Sequence, residues 1–189
     1  MAWVIRAVLF HALLLISMVG IDVFVWKEIS FHDIPVAEVS CPLSSESRVV
    51  RGFSMEPLFF AGDALTISFG WYVCHVPVRN DAVLVSFAGN RVPLLKRIRG
   101  IPGDTFQILS LPTGEGEFFL NDEILKNIRG EAYRIPPVRA SLWRLYEAEF
   151  HGVIPTDKFF VLGEIPTGSL DSSRFGFVSR DDLLGRVEQ

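Results

Sequence analysis

From Val4 to Trp26 the chain reads VIRAVLFHALLLISMVGIDVFVW. As a helix, these roughly 23 residues would span about 34 Å, enough for the hydrocarbon core of a bilayer. Any fold the chain adopts must place that segment in lipid or in a core. Its charged residues lie near the ends, Arg6 on one side and Asp22 on the other, and Trp3 and Trp26 occupy the positions of interfacial aromatics. Only His11 falls inside. The sequence therefore predicts a retained membrane anchor over 1–27. A cleaved signal peptide competes with it, but no small-x-small cleavage site follows and the apolar character continues through Val25. A buried core helix is the third reading. With Arg6 as the only early charge, the positive-inside rule leaves the N-terminus in the cytoplasm and the rest of the chain outside.

Beyond the anchor, 189 residues leave room for one further domain with a real core, not two. A net charge of −4 gives no electrostatic case for a nucleic-acid partner. Residues 28–48 are polar, carry prolines and show no sustained period, and read as a linker. From Val49 onward short apolar runs alternate with turn residues: VVRGF, ALTISF after AGD, AVLVSF after VRND, a hairpin turn at AGNR, and VPLLKRIRGI closed by PGD. This is a mainly β pattern, predicting an antiparallel sheet domain over 49–189. Residues 110–150 differ, with PTGEGE, IPP and the more helix-compatible SLWRLYEAEF, and read as a small cap insertion. Strand-like KFFVLG, FGFV and LLGRV follow. Cys41 and Cys74 would face an oxidising compartment, where both a disulfide and two separate buried thiols fit; their spacing matches no zinc or redox motif.

Chemistry could reside at Ser54, in RGFSMEPLFF, provided another group supplies a base. His32, His75 and His151 stand in no triad context, and Ser54 lacks the Gly-x-Ser-x-Gly elbow. In LLKRIRGIPGD, a strand's period of two puts Leu94, Lys96 and Ile98 on one face and Leu95, Arg97 and Arg99 on the other. Lys96 thus points with the apolar set. Burial there would lower its pKa towards values useful in a general base; an exposed edge strand would make it a guard against aggregation instead.

Three stretches, Gly52-Phe53-Ser54-Met55-Glu56-Pro57, Lys96 through Asp104 (KRIRGIPGD) and Ser169 through Gly176 (SLDSSRFG), resemble in order the signature boxes of the type I signal peptidases. The resemblance covers roughly 49–104 and 158–187 and extends to the N-terminal anchor. It implies a β-sheet peptidase core, no cofactor or metal, and cleavage of signal peptides from exported precursors on the outer side of the cytoplasmic membrane. Ser54 is then the nucleophile and Lys96 its base, with Ser169 orienting the lysine and Asp171 and Arg174 forming an ion pair beneath the site. Substrate would dock as an extended segment along a strand edge, with Val50, Phe53 and Leu95 as pocket walls or ordinary core.

The chain departs from the family pattern at several positions. Leu58 replaces a threonine, Gly163-Glu164 replaces Gly-Asp-Asn, and Asp-Ser-Ser-Arg-Phe-Gly replaces Asp-Ser-Arg, two aromatics and Gly. Gly52 stands where some members carry an oxyanion-stabilising serine, so the backbone N–H of Ser54 would carry most of that task. The short cap and altered third box resemble the branch that processes pilin-type or conjugative-transfer proteins. Leu58, Phe59, Phe60, Phe69, Trp71 and Tyr72 fit either a surface dipping into membrane lipid or core packing. Two other classes fit the sequence: a self-cleaving repressor-type Ser-Lys protease, which would need a DNA-binding helix pair in place of the anchor, and a non-catalytic membrane-anchored β module. Sequence says nothing of oligomeric state.

Overall fold

The computed structural model describes residues 41–87 and 92–188. The anchor, most of the linker and the AGNR turn lie outside the described residues. Among those described, no helix is long and apolar enough to cross a membrane.

Alternation in the apolar runs becomes two antiparallel sheets. The first holds β1 (Ser44–Val49), β2 (Ala64–Phe69), β3 (Ala82–Val85), β4 (Leu94–Gly100), β9 (Lys158–Leu162), β10 (Val178–Ser179) and β11 (Leu183–Val187), in the order β1-β2-β11-β3-β4-β9-β10. The chain's last strand is thus inserted between β2 and β3, so the sheet forms only when distant segments meet. Period two sorts its side chains: Val83 and Val85 enter one buried cluster with Ile98, Val161, Val178 and Leu183, while Ala82 enters another with Ile67 and Val187, against which Leu84 and Leu95 pack.

The second sheet comprises β5 (Phe106–Ser110), β6 (Gly116–Leu120) and β7 (Glu123–Ile124), with β8 (Arg134–Ile135) paired to β6. It covers most of the stretch read as a cap insertion, and it starts at Phe106. The 13-residue helix α2 (Pro137–Glu149) follows; α1 (Trp71–Cys74) precedes it and α3 (Ser172–Phe175) comes after, each a single turn. Pro137 opens α2 at the position where the missing N–H is no loss. The helix lays Ala140 and Trp143 on the second sheet, and the Trp143 ring meets Phe106, Phe118 and Phe160 edge-on. Such aromatic contacts add stabilisation beyond the area they bury.

Two details differ from the sequence reading. VVRGF is not a strand. β1 runs from Ser44, inside the stretch read as linker, and ends at Val49; the chain then turns at Gly52, φ +80°. Cys41 and Cys74 are joined as a disulfide with Cα atoms 5.8 Å apart, so the segment entering β1 is tied to the end of α1. Beside that bond Gly70, at φ +72°, leaves no space for a side chain against the Pro42 backbone.

Candidate active site

Ser54 lies in the turn after β1, and Lys96 in the third position of β4. Period two turns Lys96 to the Val83 and Ile98 side of the sheet, where it is 3% exposed. Its Nζ donates to Ser54 Oγ at 2.8 Å. Burial lowers the ammonium from the usual 10.5 to about 8, partly offset by the nearby Asp171 carboxylate, which favours the charged form. The edge-guard reading of Lys96 fails because that reading needs an exposed side chain, and this one is turned into the buried face. None of the described histidines is hydrogen-bonded to Ser54; the His75 ring stacks on Trp71, with centroids 3.7 Å apart.

Strand β9 ends directly beneath this pair. After Leu162 the chain passes through Gly163 and Glu164, and the Glu164 N–H donates to the Ser54 carbonyl at 2.7 Å. A Cβ on Gly163 would stand 2.6 Å from that carbonyl oxygen and 2.7 Å from Ser169 Oγ. Glycine is therefore required here by close approach. The Gly163 carbonyl accepts from the Tyr133 hydroxyl at 2.5 Å, and its N–H donates to Asp171 Oδ2 at 3.0 Å. The backbone that supports Ser54 is thus held from both the second sheet and the last loop.

Asp171 is wholly buried and accepts from four groups: Gly163 N–H and the Ser169 hydroxyl on Oδ2, and the N–H and hydroxyl of Ser173 on Oδ1. Among the described residues the hydrogen bond of Ser169 goes to Asp171, at 2.5 Å, rather than to Lys96.

The structure does not bring Arg174 to Asp171. Asp171 is the N-cap of α3, its side chain accepting from the Ser173 N–H, and Arg174 in the same turn is exposed and makes no salt bridge among the described residues. A buried ion pair instead joins Arg97, adjacent to Lys96, to Glu164 at 2.8 Å, and the Glu164 side chain is wholly inaccessible. Glu164 Oε2 also accepts from Ile128 N–H. The signal for this pair was present in the Gly163-Glu164 departure and in an arginine on the strand face opposite Lys96.

Of the expected pocket residues, Phe53 is 69% exposed. Val50 has its N–H and C=O engaged by Asp63 and Gly62, so only its side chain is free for a ligand. Leu95 packs against the cluster of Ile67 and Val187. A Cβ on the exposed Gly52 would touch nothing within 4 Å, so its positive φ, not crowding, calls for glycine. β4 pairs with β9 only from Arg97 onward, whereas Leu94 to Lys96 pair with β3 alone. Among the described residues that half-strand has a free edge beside Ser54. Among the described residues no His, Cys, Asp or Glu group is arranged to hold a metal.

A family model described as signal peptidase, peptidase S26, matches residues 23–189. The chain is similar to the probable signal peptidase I-2 of Synechocystis sp. (28% identical, covering 76% of this chain and 61% of that protein). It is also similar to signal peptidase I of Bacillus caldolyticus (27%; 74% and 75%) and signal peptidase I P of Bacillus subtilis subsp. natto (28%; 76% and 75%). The chain thus spans less than two thirds of the Synechocystis relative and three quarters of the two Bacillus ones. With 167 consecutive residues matched, the chain belongs to the signal peptidase family, peptidase S26, a family of peptide-bond hydrolases.

Proposed function

We propose that the chain is a membrane-anchored serine endopeptidase that removes signal peptides from exported precursors, with Ser54 as nucleophile and Lys96 as general base. The observation that carries this is the 2.8 Å contact between Lys96 Nζ and Ser54 Oγ inside a buried site that favours the neutral amine. Neutral Lys96 takes the hydroxyl proton as Oγ attacks the scissile carbonyl. The resulting ammonium returns the proton to the departing amine, leaving an ester on Ser54. Lys96 then deprotonates a water that attacks the ester, and the proton returns to Oγ as the acid product leaves. Ser54 N–H is the donor at hand for the oxyanion, since Gly52 has no side chain to offer.

The precursor enters as an extended segment along the free edge of Leu94 to Lys96, with the side chains of Val50, Phe53 and Leu95 near its path. Asp171 holds Ser169 and Gly163 in place beneath the lysine. Residues 1–27 anchor the enzyme in the cytoplasmic membrane with the N-terminus inside, and the catalytic domain on the outer side includes Cys41 and all of β1, so the link between them is shorter than 28–48. Its substrates are precursors of general secretion or of the pilin-type and conjugative-transfer branch, which the short cap and altered third box resemble.

Cleavage of a fluorogenic signal-peptide substrate by the detergent-solubilised protein tests this, from about pH 6 to about pH 10. The wild type cleaves, Ser54→Ala and Lys96→Ala do not, and the rate rises with pH through one group near 8. Activity retained by Lys96→Ala would remove the dyad.

A further inference from the structure

Tyr133 stands just before β8, away from the dyad in the chain, yet its hydroxyl ends at the backbone behind Ser54. The residue is 1% exposed, and its own backbone is pinned on both sides: its N–H donates to the Leu125 carbonyl at 3.1 Å, and its carbonyl accepts from the Phe118 N–H at 3.4 Å. The hydroxyl donates to the Gly163 carbonyl at 2.5 Å. That carbonyl and the Glu164 N–H are the two ends of one peptide group, and the N–H end donates to the Ser54 carbonyl at 2.7 Å. Among the described residues no other backbone N–H donates to the Ser54 carbonyl. Tyr133 thus reaches the serine through a single planar unit.

Such a unit carries polarisation as well as position. A hydrogen bond accepted at a peptide carbonyl strengthens the N–H at the other end as a donor. A positive charge stands at the head of this chain. Arg99 Nη1 lies 3.4 Å from the Tyr133 oxygen and the guanidinium is over the ring, 5.7 Å from its centroid; the Lys126 carbonyl holds it there, accepting from Nη2 at 2.6 Å. Burial raises the Tyr133 pKa, so the hydroxyl keeps its proton over the range in which Lys96 titrates. At the far end of the chain the Ser54 N–H donates to no backbone carbonyl among the described residues and is free to meet an oxyanion. Its direction turns with the Ser54 backbone, which the bond from Glu164 fixes. We propose that Tyr133 is a positioning residue for the hydrolysis: through the Gly163–Glu164 peptide it sets the orientation of the Ser54 backbone, and with it both Oγ and the oxyanion-binding N–H. The inference rests on Ser54 as the nucleophile.

The test uses the detergent-solubilised full chain and the fluorogenic signal-peptide substrate. Tyr133→Phe keeps the ring and its contact with Arg99 and removes one donor. Its kcat is expected to fall between about 10- and 100-fold, the effect of a small displacement at the reacting atoms, with KM changed by no more than about twofold. The rate still rises through one group near 8, because the surroundings of Lys96 are unchanged. Ile135→Val, at a buried position in the adjoining β8, loosens the second sheet without touching the hydrogen-bond chain and is expected to keep the wild-type kcat. In the isotope-labelled protein the Glu164 amide proton is expected to move upfield in Tyr133→Phe, and by less in the same direction in Arg99→Met, a readout that needs no turnover. Wild-type kcat in Tyr133→Phe beside a silent Ser54→Ala overturns the inference alone. So does a kcat loss that Ile135→Val matches, or a Glu164 amide proton that stays in place. Activity surviving in Ser54→Ala removes the nucleophile and this inference with it.

Discussion

The N–H of Glu164 donates to the carbonyl of Ser54 at 2.7 Å, and the Glu164 carboxylate pairs with Arg97 at 2.8 Å. One residue thus links the backbone of the candidate nucleophile to the strand that carries its base. The pair is incompletely satisfied: Arg97 Nε and Glu164 Oε1 are buried without a well-aligned hydrogen bond among the described residues. Removing one partner leaves the other charge buried and alone. Glu164→Ala is expected to lower stability by about 3 to 5 kcal/mol, whereas Arg97→Met with Glu164→Leu recovers most of that loss. Urea unfolding of the three chains measures both; equal losses in the single and double variants would show that packing, not charge, dominates.

Lys96 offers a pH test with a definite sign. Its folded pKa, about 8, lies below the usual 10.5, so between those values the unfolded chain binds more protons and stability rises with pH. Below about 8 both states carry the ammonium and the burial penalty is present in full. Lys96→Met is therefore expected to be more stable than wild type near neutrality by about 2 kcal/mol, after allowing for the lost bond to Ser54. The advantage fades towards pH 10.5. Tyr72 and Tyr133, whose pKa values are raised by burial, are common to both chains and cancel in the difference. Denaturant midpoints across pH decide; a constant gain would mean that Lys96 is charged throughout.

Gly163 makes the support of Ser54 testable without touching the dyad. A methyl group there would meet the Ser54 carbonyl oxygen at 2.6 Å and Ser169 Oγ at 2.7 Å, and neither can yield without moving the turn or the Asp171 network. Gly163→Ala is expected to lower kcat by about 100-fold with a smaller change in KM, because a displacement of about 1 Å at the reacting atoms has that effect. Steady-state kinetics on the peptide substrate measures it. An unchanged kcat would mean that the Ser54 backbone tolerates the shift.

What was legible in the sequence is what local periodicity decides. ALTISF and AVLV became strands, and Lys96 lay on the buried face because period two needs only neighbouring residues. The cap helix was legible in SLWRLYEAEF but begins four residues earlier, at Pro137. The two-residue strands β7 and β8 are too short to show any period. Both members of the buried ion pair were visible in the sequence, but their meeting was not: Arg97 finds Glu164 only because β4 pairs with β9, and Arg174 misses Asp171 because Asp171 caps its own helix. The turn after Val50 sets Ser54 within reach of Lys96 on β4, a tertiary relation that VVRGF does not contain.

The disulfide gives the last prediction. Cys41 and Cys74 are 33 residues apart, and the loop they close contains β1, the Ser54 turn and β2. In the chain-entropy account a loop of that length is worth about 4 kcal/mol. β1 is an edge strand exposed along all six residues, so little core burial holds it and the cross-link carries much of its attachment. Reduction, or Cys41→Ser with Cys74→Ser, is expected to lower the unfolding free energy by roughly that amount and to raise amide exchange in Ser44–Val49 well before it does so in β3 or β4. Hydrogen exchange with and without reductant measures both. Uniform loosening across the first sheet would mean instead that β1 is integral to its cooperative unit, and that the bond stabilises the sheet as a whole rather than pinning its edge.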